Sequence, residues 1–188
     1  MAQAQTLTDA QLRSCLKWCQ MRRHNTRDTT IFYVSYYVGL RAKAIAALTV
    51  GDVYDEHGSV REQFALDAVQ TKGAKTRTVW INAKLRRQLE LYRSSLLFKD
   101  PSTALFQSQK GGAFSANTMT QLFLNIYRAA GFENASSHSG RRTFITELAS
   151  KGVSVRVLAE LAGHSSIQTT QGYIDVTPQQ MSAAVELL

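Results

Sequence analysis

The stretch TTIFYVSYYVGL, Thr29 to Leu40, has no charged side chain and is densely apolar. A helix without a polar face has to be covered by other elements. Neither this run nor any other approaches the ~20 residues that cross a bilayer, so the segment reads as a fully buried helix of a globular domain. It ends at Gly39, and RAKAIAAL follows as a second, short helix.

The rest of the chain supplies the covering elements. Thr8 can cap a helix that carries Leu12, Cys15, Leu16 and Cys19 on one face. TVGDVYDEHGS reads as turn and loop. REQFALDAVQ and TRTVWIN are β-like runs flanking TKGAK, which predicts a hairpin with a glycine-containing loop. Helix returns in AKLRRQLELYRSSLLF. KDPSTALFQSQKGGAFS is the longest irregular stretch. Ser115 can cap ANTMTQLFLNIYRAAG, which closes at Gly131. Helical pieces follow in HSGRRTFITELASKG, in SVRVLAELAG and around Tyr173. The last, from Pro178 to Leu188, has an apolar stripe of Met181, Ala184, Val185 and Leu188. The expected fold is mainly α with a small antiparallel β-sheet (α+β), in one domain over residues 1–188. A helix so short is marginal alone, so it is expected to dock on a protein surface, its own or a neighbour's.

Composition narrows the partner. The 188 residues are 44% hydrophobic, enough for a core. Lys and Arg number 22 against 14 Asp and Glu, a formal charge of +8. That surplus fits an anionic partner, nucleic acid first, or simply a basic protein. The N-terminus has no basic and apolar signal pattern. Cys15 and Cys19 make neither a disulfide scaffold nor a zinc set. They read as small core residues of a protein in a reducing cytosol.

Several polar residues then stand out. His138 and Arg141 are three apart at a helix start and share a face, and the unpaired N–H groups of that first turn can hold an anion. Such pairs are usually solvated surface. Arg41 follows the buried helix directly, where it can either cap carbonyls or present a rigid guanidinium to phosphate. Lys72 lies in the hairpin, where lysines commonly protect a sheet edge. His164 sits in a polar turn, nine residues before Tyr173.

In this order the boxes resemble those of the tyrosine recombinases, the phage-integrase family of site-specific DNA recombinases. GLRAKAIAAL is similar to the first arginine box, TKGAKTRTVWI to the hairpin lysine motif, HSGRRTFIT to the H-x-x-R box and LAGHSSIQTTQGYI to the closing histidine–tyrosine box. The resemblance implies double-stranded DNA as partner and a tetramer on DNA. It implies integration, excision or inversion through a 3′-phosphotyrosyl intermediate. Tyr173 would be the nucleophile, Lys72 the general acid, and Arg41, Arg141, His138 and His164 would surround the scissile phosphate, with His138 accepting the tyrosine's proton. No cofactor or metal is implied. The carboxylates Asp52, Asp55, Glu56, Glu147 and Asp175 are scattered and form no recognisable metal set.

Two departures accompany the resemblance. Ala44 stands where the family usually carries glutamate, three residues after the first arginine. The helical core-binding domain that usually precedes the catalytic domain has no counterpart here. The chain therefore resembles either the short recombinases that invert fimbrial switches or an excised catalytic domain. The alternative function is a DNA-binding regulator that keeps the fold without recombination.

Overall fold

A computed structural model describes residues 4–67, 76–96, 100–174 and 178–186. Among them ten helices and two strands follow one another. They are α1 (Asp9–Gln20), α2 (Asn25–Tyr37), α3 (Ala42–Ala46), α4 (Val50–Val53), β1 (Gln63–Leu66), β2 (Arg77–Trp80) and α5 (Ala83–Ser95). Then come α6 (Ala116–Ala129), α7 (Ser139–Ser150), α8 (Val155–Ala162), α9 (Ile167–Gln171) and α10 (Pro178–Val185). The mainly helical α+β class expected from the sequence is the class observed.

The apolar helix is the hub. α2 packs against α1, α3, α5 and α7, and Ile31, Phe32, Val34 and Ser35 are all buried. It starts at Asn25, four residues before the apolar run. The added turn contains Asp28, fully buried and paired with Arg27 at 2.8 Å. A buried carboxylate needs such a partner, so charge in that turn does not mark the helix's end. α6 closes the other side against α1 and α3, filling the core with Met119, Phe123, Ile126 and Tyr127.

Caps explain most boundaries. Thr8 accepts from the Gln11 amide while the Gln11 side chain accepts from Thr8 N–H, a reciprocal capping box. Ser115 and Ser154 cap α6 and α8 through their hydroxyls. The turn read over TVGDVYDEHGS contains α4 instead. Thr49 and Asp52 form a second capping box there, and four residues are too few to show helical periodicity.

β1 and β2 pair antiparallel, with Gln63 opposite Trp80 and Leu66 opposite Arg77. Phe64, Leu66 and Val79 face the core. The hairpin loop, with Lys72, lies outside the described residues. α5 ends at Ser95, with Leu96 extended, and residues 97–99 of the longer helix expected there also lie outside. Cys15 and Cys19 are buried free thiols, as expected; burial pushes the Cys15 thiol up to about 12.

In α10, Met181 is 55% and Val185 69% exposed. The stripe expected to dock thus does not pack on its own domain at these positions, and Leu188 lies outside the described residues. Among the described residues no helix is long and apolar enough to cross a membrane.

Candidate active site

α2 and α8 end beside each other, and the last carbonyls of a helix lack partners within it. Val38 caps α2 and Gly39 follows with φ +62°. A Cβ at Gly39 would stand 2.6 Å from Phe144 Cδ1, so both backbone and packing require glycine. α8 ends at Ala162 and is capped by Gly163 in the left-handed conformation. Two helix C-termini brought together concentrate partial negative charge, and buried arginines answer it.

Arg141, in the first turn of α7, is 3% exposed. Its Nη1 donates to Gly39 O at 2.6 Å and its Nη2 to Ala162 O at 2.5 Å. Of the two readings open for the His138–Arg141 pair, solvated surface therefore fails for the arginine. His138 itself is the exposed N-cap residue of the same helix and makes no side-chain capping bond. The shared face divides because α7 packs against α2 and α8, which draws Arg141 inward.

Arg41 is partly buried in extended backbone and is the N-cap residue of α3. It lies near enough to Arg77, Arg141 and His164 to oppose protonation of all three. Burial first, then Arg41 and Arg77, push Arg141 down to about 9, so it is still charged at neutral pH.

His164 follows the Gly163 cap, its N–H bonded to Ala159 O at 2.9 Å. Its Nδ1 is 2.8 Å from Oγ1 of the buried Thr170. Burial, then Arg141, Arg41 and Arg77, lower it to about 4. His164 is therefore neutral at pH 7. In the tautomer in which Nδ1 accepts from Thr170, Nε2 carries the proton and can donate.

Tyr173 comes two residues after α9, with its N–H on Thr170 O at 2.9 Å. Its ring stacks on His164 at a centroid distance of 5.7 Å, and the Arg142 guanidinium lies 5.9 Å from its centroid. Its carbonyl accepts from Thr146 Oγ1 at 3.3 Å. Tyr173 also acts, as the smallest influence, to favour the charged form of Arg141.

The fold thus brings together Arg41, Arg141 and the His164–Tyr173 pair out of three distant stretches. It surrounds them with positive charge and donors, and sets a phenol at the edge. Such a pocket can hold a phosphate and stabilise the extra charge of in-line attack. Over most of its length the chain matches one family model, described as the phage integrase family, at residues 5–180. The chain belongs to the phage integrase family. It is 33% identical over 160 residues to the tyrosine recombinase XerD of Pseudomonas putida, covering 82% of this chain and 51% of that protein. It is 30% identical over 165 residues to the XerA recombinase of Pyrococcus horikoshii, covering 86% and 55%. The chain spans about half the length of these relatives.

Solved structures of this family share the fold. A crystal structure of a XerA recombinase aligns over 99% of this chain and 66% of its own, with TM-score 0.76 at 20% identity. A XerH recombinase bound to difH in a post-cleavage complex aligns over 96% and 51%, with TM-score 0.72 at 23% identity.

Three residues beside this constellation were not singled out in the sequence. Arg77, in β2, donates through Nη2 to Val38 O at 3.1 Å and to Leu161 O. Its position two before the buried Val79 puts it on the inward strand face, a signal available from the alternation. Thr170 and Arg142 carried no signal, because their roles depend on the turn that returns Tyr173 to α7. Ala44, in the family's usual glutamate position, is buried at 6% exposure.

Proposed function

We propose that this chain is the catalytic domain of a tyrosine-type site-specific DNA recombinase, acting on double-stranded DNA. The observation that carries this reading is the ring of Tyr173 stacked on His164, a histidine that faces the buried Arg141 and the partly buried Arg41 and Arg77. In the proposed step, Tyr173 Oη attacks the scissile phosphorus and the bond to the 5′ oxygen breaks. A 3′-phosphotyrosyl link forms. The phenol proton passes to His138, and Lys72 protonates the leaving 5′ oxygen. Arg41, Arg141 and His164 Nε2 donate to the non-bridging oxygens, where the second negative charge develops. Reversal with a new 5′ hydroxyl rejoins the strand. The link conserves the phosphodiester energy, so neither a nucleotide nor a metal is required.

Assembly completes the proposal. The exposed Met181 and Val185 face of α10 favours a second copy of this chain as its partner, in a tetramer on DNA. Charge supports the DNA partner, since a net +8 gives salt-sensitive phosphate binding.

A duplex nicked near the cleavage point, which loses its 5′ fragment and traps the intermediate, tests the reaction. The full chain should form a covalent protein–DNA band in EDTA. Tyr173→Phe should shift the DNA and form none. Covalent bands from the phenylalanine variant, or a strict need for Mg²⁺, would overturn the reading. DNA binding without trapping by the unaltered chain would instead mark a regulator.

A further inference from the structure

We propose that Arg77 is a positioning residue for DNA cleavage: its guanidinium, hydrogen-bonded to the carbonyls of Val38 and Leu161, locks together the turns that present Arg41 and His164. The inference rests on the recombinase reading above.

Two arginines bond consecutive carbonyls at the same junction. Arg77 takes Val38 and Leu161, and Arg141 takes the next pair, Gly39 and Ala162. Each guanidinium thus bridges α2's end to α8's end, and together they form a double staple. Arg41 begins two residues beyond Gly39, and His164 two residues beyond Ala162. Neither turn can shift along its helix axis without breaking both sets of bonds.

Arg77 enters this junction from the sheet, a third element independent of α2 and α8. Its stem also packs under the His164 turn: a Cβ at Gly163 would stand 2.7 Å from Arg77 Cδ. Gly163 already needs φ +62° for the cap, so the turn is shaped both by backbone and by this arginine. Nη2 bonds both carbonyls and the buried Nε has no hydrogen-bond partner; the proposed role of Arg77 is through the turns these bonds hold. A guanidinium suits the task because it holds its charge and a fixed planar donor geometry. Lysine has the charge without that geometry.

The difference between Arg and Lys supplies the test. Full-length wild type, Arg77→Ala and Arg77→Lys are compared on the nicked duplex, with gel shifts for binding. The titration of His164 is followed by its imidazole NMR signals. The charged groups facing that ring are Arg41 ahead of α3, Arg77 on β2 and Arg141 on α7, with Tyr173 stacked and Thr170 bonded. Both variants should bind DNA within about threefold of wild type. Both should form adducts about tenfold to a hundredfold more slowly, the scale for reacting groups displaced by about an ångström. The His164 midpoint should rise in the alanine variant, which removes a neighbouring cation, and stay near wild type in the lysine variant, which keeps it.

Wild-type cleavage rates for Arg77→Lys would show that charge alone matters and overturn the proposal. So would unchanged cleavage by Arg77→Ala, or a loss of DNA binding in step with cleavage. If the alanine variant does not fold, the lysine variant decides by its rate. Failure of the wild type to trap DNA would overturn the recombinase reading itself; trapping at equal rates by wild type and Arg77→Lys would overturn only this proposal.

Discussion

The stapled junction and the C-terminal segment supply opposite halves of one pocket and are held in opposite ways. At the junction, Arg141 is 3% exposed and bonded to carbonyls 102 and 21 residues away in sequence. The C-terminal half rests on less. Tyr173 is partly buried, its carbonyl held by one 3.3 Å bond from Thr146 and its ring by two face contacts. Beyond it, α10 leaves Met181 and Val185 exposed. Cations fixed before substrate arrives stabilise a transition state without reorganising. A nucleophile on a lightly anchored element belongs to the part of a fold that moves most cheaply. The contrast teaches that the cations are fixed by buried bonds while the Tyr173 segment is not; under the proposed reaction, attack would be open to control by whatever α10 packs on.

The largest effect should come from breaking the junction. Arg141→Ala and Arg41→Ala should each slow adduct formation at least about a hundredfold, the scale for losing one transition-state donor. They should differ in stability. Arg141→Ala strands the Gly39 and Ala162 carbonyls, costing about 1–3 kcal/mol for each unsatisfied group, whereas Arg41 is only partly buried. Urea unfolding of the two variants measures that difference; equal stabilities would erase the contrast between a buried staple and a substrate-facing cation.

A smaller effect should follow at the other end. Met181→Ser combined with Val185→Ser should leave monomer stability within about 0.5 kcal/mol, as exposed substitutions do. It should weaken assembly of two DNA sites by about tenfold, equivalent to 1.4 kcal/mol of lost interface. Sedimentation of protein–DNA complexes reads the assembly. Unchanged assembly would mean that this face of α10 has no partner copy.

The smallest effect concerns pH. The folded His164 titrates near 4, against 6.5 for the ordinary side chain. The unfolded chain therefore gains a proton first as pH falls. This histidine's contribution is intact above about pH 6.5 and is lost progressively toward pH 4. Because the ring is partly exposed, solvent moderates the loss. His164→Gln should show a smaller drop in stability between pH 7 and pH 4.5 than wild type in denaturant titrations. An equal drop would mean that burial and the neighbouring guanidiniums do not hold this ring neutral.

Much of the molecule was legible in the sequence because local rules act there. The capping residues Thr8, Ser115 and Ser154, the glycine after α6 and the apolar run of α2 declare themselves at short range. The order of Arg41, His138–Arg141, His164 and Tyr173 pointed to the family that the match over residues 5–180 shows. The start of α2 was misplaced because Asp28 and Arg27 satisfy each other in the core, a pairing that hydrophobic periodicity does not register. α4 was missed because a capping box over one turn resembles any polar loop.

By itself, the sequence determined most of the helices, the need to cover α2, and the boxes that resemble the family's. Only the tertiary structure decided how those side chains are divided. It buried Arg141 and left His138, three residues away, exposed. It joined Arg77 to carbonyls 39 and 84 residues distant and kept His164 neutral. The physical reason is that helix propensity and capping are settled within a few residues. Desolvation and the pairing of orphan carbonyls at two converging helix ends depend on what the whole chain brings alongside.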